Sequence, residues 1–591
     1  MHRKHWTSIA AISLLATPQL ALAQAADLVI HNADIRTMDD ANPEAEAVAI
    51  TGDTITYVGN DAGVKAYIDD DTRVIDAEDH LLIPGFQETH LHLLVAAATI
   101  SGLVLQQTDS PEDVARKLGE FAKAHPDRKA IFGSGLNSAL IVSGELNRAI
   151  LDAVVSDRPV VILGETNHNA WVNSKALEVA KITRETKDPD NGTYVRDANG
   201  ESTGVIQGSP AHLPVIVATN AISSEAIAGA MPEMLNILSS FGFTGAIDMG
   251  FPLATEEGYQ SLVDLDNEGK LPLRVSLAYF VNSVAAGDKV LATIDDFSKR
   301  FKSDHVWLDT VKIVGDGVVE NRKAAFLEPY LDTGESGALT LPVDYMNNLV
   351  LKSARKGYNV VAHVVGDKGN RAILDAYEAA RKAGHKDVNL STTHSWWVKP
   401  EDVPRWQKNN VFVQTTGIWA FTRPSYLEAL GKERFETEQF PYRSWEDSGA
   451  VVALGADYPA TDGGINGLNP FNNIYSLLTR KLAPPLIGNV AGTEEQLPPY
   501  DQIMTIAEAV EGYTANGARM MGKFDEFGSI TVGKKADMIV LSQNLFNIDV
   551  SDVPKTMVLM TMMDGKVRYL EPELAAGPLA DLDIGHDWQE D

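Results

Sequence analysis

The sequence predicts an α/β protein: a TIM (β/α)8 barrel with a small β-sandwich built from both chain ends and a large insertion after the first barrel strand. Three observations predict it. Eight β-rich stretches in the middle of the chain alternate with segments of helical periodicity, the pattern of parallel strands joined by helical crossovers. Both chain ends consist of short strands and Gly/Asp turns without a helical period. Histidines, a lysine and an aspartate recur where the central strands end, and such barrels collect their reactive groups at the C-terminal ends of the strands.

Residues 1–25 carry Arg3 and Lys4, then an apolar run, then Ala21, Ala23 and Ala25, the layout of a cleaved export signal. A periplasmic or secreted protein is therefore expected. Residues 26–83, with "ADLVIHNADIRTMDD", "AEAVAITGDTITYVG" and "TRVIDAEDHLLIPGF", supply the N-terminal part of the sandwich. Residues 84–525 supply the barrel, its strands expected in "PGFQETHLH" and at 242–250, 273–281, 309–317, 359–367, 388–396, 410–416 and 449–459. Between them, segments such as "SSEAIAGAMPEMLNILSSF" and "GNRAILDAYEAARKAG" place apolar residues at helical spacing. Residues 103–222 are too many for a connecting loop, so a structured insertion that covers the active-site face is expected there. Residues 526–591 return to β-sequence in "GSITVGKKADMIVLSQ" and "TMVLMTMMDGKVRYL", which completes the sandwich.

Composition narrows the function. With 81 acidic against 50 basic residues the net charge is −31, which argues against nucleic acid or an anionic membrane surface as partner. No stretch after the leader offers about 18 continuous apolar residues, so no integral membrane segment is expected. The chain has no cysteine, which excludes disulfides, thiolate metal ligands and a cysteine nucleophile. Any metal must be held by nitrogen and oxygen.

The stretch "LLIPGFQETHLHLL" shows how. Residues i and i+2 of a strand share a face, so His90 and His92 project together while Leu91 packs on the other side. The other strand ends carry Lys312, His363, His394 and Asp457. Neutral imidazoles are good ligands for zinc and similar divalent ions, and a carboxylate adds negative charge and a proton acceptor. An ammonium is repelled by cations, so Lys312 needs a separate explanation.

This set resembles the amidohydrolase superfamily. "PGFQETHLH", "VKIVGDG", "VVAHVVGD", "THSWWVKPEDVPRW" and "GADYP" are similar to the branch, amidohydrolase family 3, that contains N-substituted formamide deformylases and related exported amidohydrolases. The resemblance implies that carbon dioxide carboxylates Lys312, making it an anionic bridge between two divalent ions, most simply zinc. It implies that His90, His92 and Asp457 hold one ion and that His363 and His394 hold the other. It implies hydrolysis of a non-peptide C–N (amide) bond of a small molecule by a metal-bridging hydroxide, with Asp457 as general acid/base. His168 matches a family position in the insertion that often reaches toward substrate; a loop or packing histidine is the alternative. Trp396, Trp397, Trp419 and Tyr458 follow site strands, where they line an aromatic pocket or belong to the core. Asp316, four residues after Lys312, is expected to touch substrate or to orient the following loop.

The chain departs from the family pattern at two places. Gln87, Glu88 and Thr89 precede His90 where the family usually has an aspartate, and "QTTGIWAF" replaces a Gln-Pro pair after the seventh strand, which implies a modified pocket. Gly366 stands where related deaminases carry a glutamate three residues after the fifth-strand histidine, which argues against deamination. Three alternatives stay open: a mononuclear site with Lys312 as a plain lysine, a cyclic amide, ester or lactone as substrate, and a non-catalytic exported metal-binding protein. A homo-oligomer is open as well.

Overall fold

Eight parallel strands form the centre of the molecule, each next to its successor in sequence. They are β1 (Phe86–Leu91), β2 (Phe243–Asp248), β3 (Arg274–Val281), β4 (Val306–Val314), β5 (Asn359–Val364), β6 (Leu390–His394), β7 (Val411–Thr415) and β8 (Val452–Leu454). The computed structural model describes residues 25–575, except 138, 139, 142, 166, 190, 191, 252–255, 422, 462 and 488–494. Residues 1–24 of the expected export signal lie outside the described residues.

All eight expected strands are present. Runs such as "VWLDTVKIV" and "NVVAHV" are rich in β-branched residues, which pack well on a pleated surface covered on both faces. Two of the crossover helices begin at serine caps: Ser223 and Ser283 accept from the N–H groups of Ala226 and Ala286 at the starts of Ser224–Ser240 and Val284–Arg300. Among the described residues, no single helix is long and apolar enough to cross a membrane.

Side chains and a few backbone bonds close the barrel between β8 and β1. Leu91 and Tyr458 form one parallel bridge. Asp457 N–H donates to His90 O at 2.7 Å, and His92 N–H donates to Tyr458 O at 3.0 Å. Thr89 Oγ1 donates to Leu454 O at 2.7 Å, and the Glu88 carboxylate accepts from both His90 N–H and Ala456 N–H at 2.9 Å. Glu88 and Thr89 thus serve the seam of the barrel, whereas Gln87 donates to Gly85 O and to Thr244 Oγ1 of β2 at 2.9 and 3.0 Å.

The insertion holds a six-stranded sheet, in the order 193–196, 202–207, 169–172, 160–164, 131–136 and 103–104. It has its own apolar core, which includes Val114, Leu118, Ile131, Ile162 and Trp171. The sandwich joins the chain ends as expected. Strand Leu81–Pro84 pairs antiparallel with Met538–Leu541, and residues from both ends, among them Ile30, Ile35, Val48, Leu82, Met538 and Met560, share one core.

A buried ionic network ties the N-terminal end of the barrel to the sandwich. Arg274, at the start of β3 and 5% exposed, donates to Asp537 at 2.8 and 3.1 Å and to Asp564. His305, which precedes β4, meets Asp266 through Nδ1 at 2.5 Å and Asp564 through Nε2 at 2.7 Å. Burial alone would lower the His305 pKa, but its hydrogen bonds to Asp266 and Asp564 raise it to about 9. A pKa raised on folding stabilises the protein fully below the unfolded value and loses that contribution as pH rises through the folded one. Thermal stability is therefore expected to fall between about pH 6.5 and 9, and His305→Gln to remove this part of the fall, on the order of 2 kcal/mol. Melting curves of both proteins across that range check it, and parallel pH profiles would refute it.

Candidate metal centre and active site

His90 and His92 stand at the end of β1, and each is oriented by the nitrogen that faces away from the cavity. His90 Nδ1 lies 2.9 Å from Gln414 Oε1, and the amide orientation is set because Gln414 Nε2 donates to Thr415 O at 3.1 Å. His92 Nδ1 lies 2.6 Å from Gly250 O. Gly250 adopts φ +65°, and a Cβ there would come within 2.3 Å of Ala278 O, so only glycine lets the chain after β2 turn this carbonyl toward the histidine. Both partners are acceptors, which assigns the hydrogen of each imidazole to Nδ1 and leaves a lone pair on each Nε2.

Those two lone pairs face one carboxylate oxygen. Asp457 Oδ1 lies 3.1 Å from His90 Nε2 and 3.2 Å from His92 Nε2, yet it accepts no hydrogen bond, because neither nitrogen carries a hydrogen. Three acceptors converging in this way, two buried and that of His92 half-buried, fit a cation. Asp457 and His394 have left-handed backbones, φ 58° and 72°, a strain on the order of 1–3 kcal/mol per residue that clusters at functional sites.

The second half of the set comes from the adjoining strands. In register, His363 of β5 sits beside Val314 of β4, and His394 of β6 sits beside Val364 of β5. Their rings are 4.3 Å apart, and His363 Nε2 and His394 Nδ1 are buried without a hydrogen-bond partner. Lys312 Nζ donates to Thr393 Oγ1 at 3.0 Å and lies 3.5 Å from His90 Nε2.

Burial dominates the electrostatics. It pushes His90, His363 and His394 well below the usual histidine pKa, so all three are neutral imidazoles, the form that binds metal. It lowers Lys312 to about 7 and His168 to about 4. It raises Asp457, against the opposing pull of His92 and Lys312.

These groups open into a cavity of about 660 Å³ at the C-terminal ends of the strands. His90, His92, Lys312, His363, His394, Asp457 and, from the insertion, His168 all line it. Phe251, Phe280 and Val314 give it an apolar wall. Trp419 faces a smaller recess of about 30 Å³ beside His363 and His394, its ring 5.2 Å from His394. Tyr458 lines a different cavity of about 180 Å³, between the barrel rim and the insertion.

Trp397 corrects an expectation. It is fully buried against Phe326, Tyr426 and Phe440 and is not part of the large cavity's wall. His394 and Ser395 both adopt positive φ, which turns the chain back so that Trp397 N–H reaches Val365 O at 3.0 Å and the ring enters the core. Asp316 orients its loop: its carboxylate accepts from the N–H groups of Ala325, Val365 and Gly366 at 2.8–2.9 Å. Gln414, Thr393 and the Gly250 carbonyl are functional partners that sequence reasoning missed. For Gln414 a signal existed, a polar side chain near the end of an apolar strand whose residues are all buried.

A parallel barrel with imidazoles and a carboxylate at its strand ends defines a hydrolase of the metal-dependent amidohydrolase superfamily. The sequence profile of the amidohydrolase family matches residues 73–569, and the chain belongs to that family. It is 26% identical over 583 residues to Protein LONG AFTER FAR-RED 3 of Arabidopsis thaliana, covering 96% of this chain and 94% of that protein. It is 24% identical over 562 residues to the N-substituted formamide deformylase of Arthrobacter pascens, covering 93% and 99%. A similar solved fold is that of an uncharacterized metal-dependent hydrolase from Pyrococcus horikoshii OT3, with TM-score 0.70, 21% identity and coverage of 88% of this chain and 99% of that one.

Gln414→Leu removes the acceptor that fixes His90 and is expected to weaken metal binding roughly 10- to 100-fold. Competition with a chelator measures the change. Unaltered affinity would show that Gln414 does not orient His90.

Proposed function

We propose that the protein is an exported, metal-dependent amidohydrolase that cleaves a non-peptide C–N (amide) bond of a small molecule. The observation that carries this reading is the convergence of His90 Nε2, His92 Nε2 and Asp457 Oδ1 with no hydrogen between them. His90, His92 and Asp457 would hold one divalent ion, His363 and His394 a second, and a carbamate on Lys312 would bridge the two. The imidazole and carboxylate donors suit zinc. When bound, the ions supply Lewis acidity, which lowers the pKa of water and polarises the scissile carbonyl.

The chain's own residues do the rest. Asp457 takes the proton of the attacking water and passes it to the leaving nitrogen. Lys312, with a pKa lowered to about 7, is substantially neutral at neutral pH. A neutral amine is the form that adds carbon dioxide, forming an N–C bond and releasing a proton. His168 is neutral and offers a ring nitrogen to the substrate from the insertion side. Phe251 and Phe280 exclude water and accommodate an apolar group. The name of the Arthrobacter pascens relative makes N-substituted formamides the first substrates to try. The basic, apolar and small-residue order of residues 1–25 supports export to the periplasm or medium.

A second reading is a mononuclear enzyme acting on a cyclic amide, ester or lactone. It is favoured by one observation: among the described residues, only His90, His92 and Asp457 bring ligand atoms within 4.8 Å of one another as a group of three.

Metal analysis is expected to find two divalent ions per chain, and intact-protein mass to show one added carbon dioxide on Lys312. One ion and a bare lysine would sink the binuclear form. Asp457→Asn is expected to lower kcat on an N-substituted formamide by roughly 10²- to 10⁴-fold. If the metal-loaded protein turned over none of the formamides, cyclic amides, esters and lactones offered, the hydrolase reading would fail.

A further inference from the structure

Most charged side chains that line the large cavity already have a task. Lys312 donates to Thr393, Asp457 faces the two histidines, and Asp316 is held by three backbone N–H groups. Lys323 differs. It lines the cavity, and among the described residues its ammonium has no ion pair and no hydrogen-bond partner. The adjacent Arg322 shows the contrast, because its guanidinium donates to Asp332 at 2.8 Å and to Val319 O and Glu320 O at 2.8 and 3.2 Å.

The backbone under Lys323 is pinned. Gly317 N–H donates to Lys323 O at 3.2 Å, Lys323 N–H donates to Val318 O at 3.1 Å, and Asp316 holds Ala325 N–H two residues further on. A Cβ on Gly317 would lie 2.6 Å from Lys323 Cβ, so the root of the lysine packs directly against the chain that leaves β4, five residues beyond Lys312. The side chain starts from a fixed point at the cavity wall. Asn282, Asn321 and Thr340 add neutral hydrogen-bonding groups to the same cavity, whereas Phe251 and Phe280 are apolar.

We propose that this cavity takes an amide whose non-reacting portion carries a carboxylate, and that Lys323 binds that carboxylate. The inference rests on the amidohydrolase reading of the same site. A single unpaired ammonium with neutral donors, and no arginine among the described residues that line the cavity, suits a monoanion better than a phosphate, which is usually met by an arginine fork or a nest of backbone N–H groups. With a net charge of −31 the surface as a whole repels anions, so the attraction is a short-range property of the cavity.

The test uses the full zinc-loaded chain and two matched substrate pairs. N-formylphenylalanine is compared with N-(2-phenylethyl)formamide, which lacks the carboxylate on the amine side. N-benzylsuccinamate is compared with N-benzylpropionamide, which lacks it on the acyl side. In at least one pair the carboxylate member is expected to have a kcat/KM higher by roughly 10- to 100-fold. Lys323→Met is expected to bring that ratio toward one, mainly through KM, and Lys323→Arg to retain most of it. Equal values in both pairs, or a preference untouched by Lys323→Met, would overturn the proposal. If no member of either pair is hydrolysed, the amide-hydrolase reading fails instead, and calorimetric binding of N-benzylsuccinamate decides about Lys323. Weaker binding to Lys323→Met would still support a carboxylate subsite, and equal binding would overturn it.

Discussion

Asp457 reaches the histidines of β1 because the backbone of β8 is bonded to that of β1. The Asp457 N–H donates to His90 O, and the Leu91–Tyr458 bridge and the Glu88 carboxylate hold the two strands in register around that bond. One set of contacts therefore closes the barrel and places a carboxylate opposite two imidazoles more than 360 residues away in the chain. A slip of one residue at this seam would turn His90 toward the helices and Leu91 into the cavity. The stability of the closure and the geometry of the metal site are the same constraint.

Burial at that seam determines the protonation states. The site groups lie beneath the insertion and inside the barrel mouth, so desolvation keeps three histidines neutral, brings Lys312 to about 7 and raises Asp457. In water the same residues would include a fully charged lysine and a fully ionised carboxylate. Neutral imidazoles are the form that binds metal, and burial supplies it here. The fold reaches it by exclusion of water more than by ion pairing.

Much of this is legible in the sequence. The eight strands follow from alternating β-branched runs and helical segments, and the sandwich follows from β-sequence at both ends, because each element announces itself by local periodicity. The His-x-His pair is a local signal too, since strand geometry alone puts His90 and His92 on one face. Gln414 was harder: a glutamine near a strand end has many uses, and only contact with a histidine 324 positions earlier gives it this one. Trp397 is open between pocket and core in the sequence for the converse reason, since its place after a site strand says nothing about the two left-handed residues that turn it into the core.

By itself the sequence determined the class of fold, the order of its elements and the identity of the groups able to bind metal, because these depend on residue type and on spacing along one strand or helix. Tertiary structure alone decided which nitrogen of each histidine faces Asp457, which aromatic rings meet the cavity, and that the exposed Lys323 lines it with no ion pair among the described residues while Arg322 is tied to Asp332. Those outcomes depend on pairings between residues that are distant in the chain. Such pairings leave no periodicity for a single sequence to display.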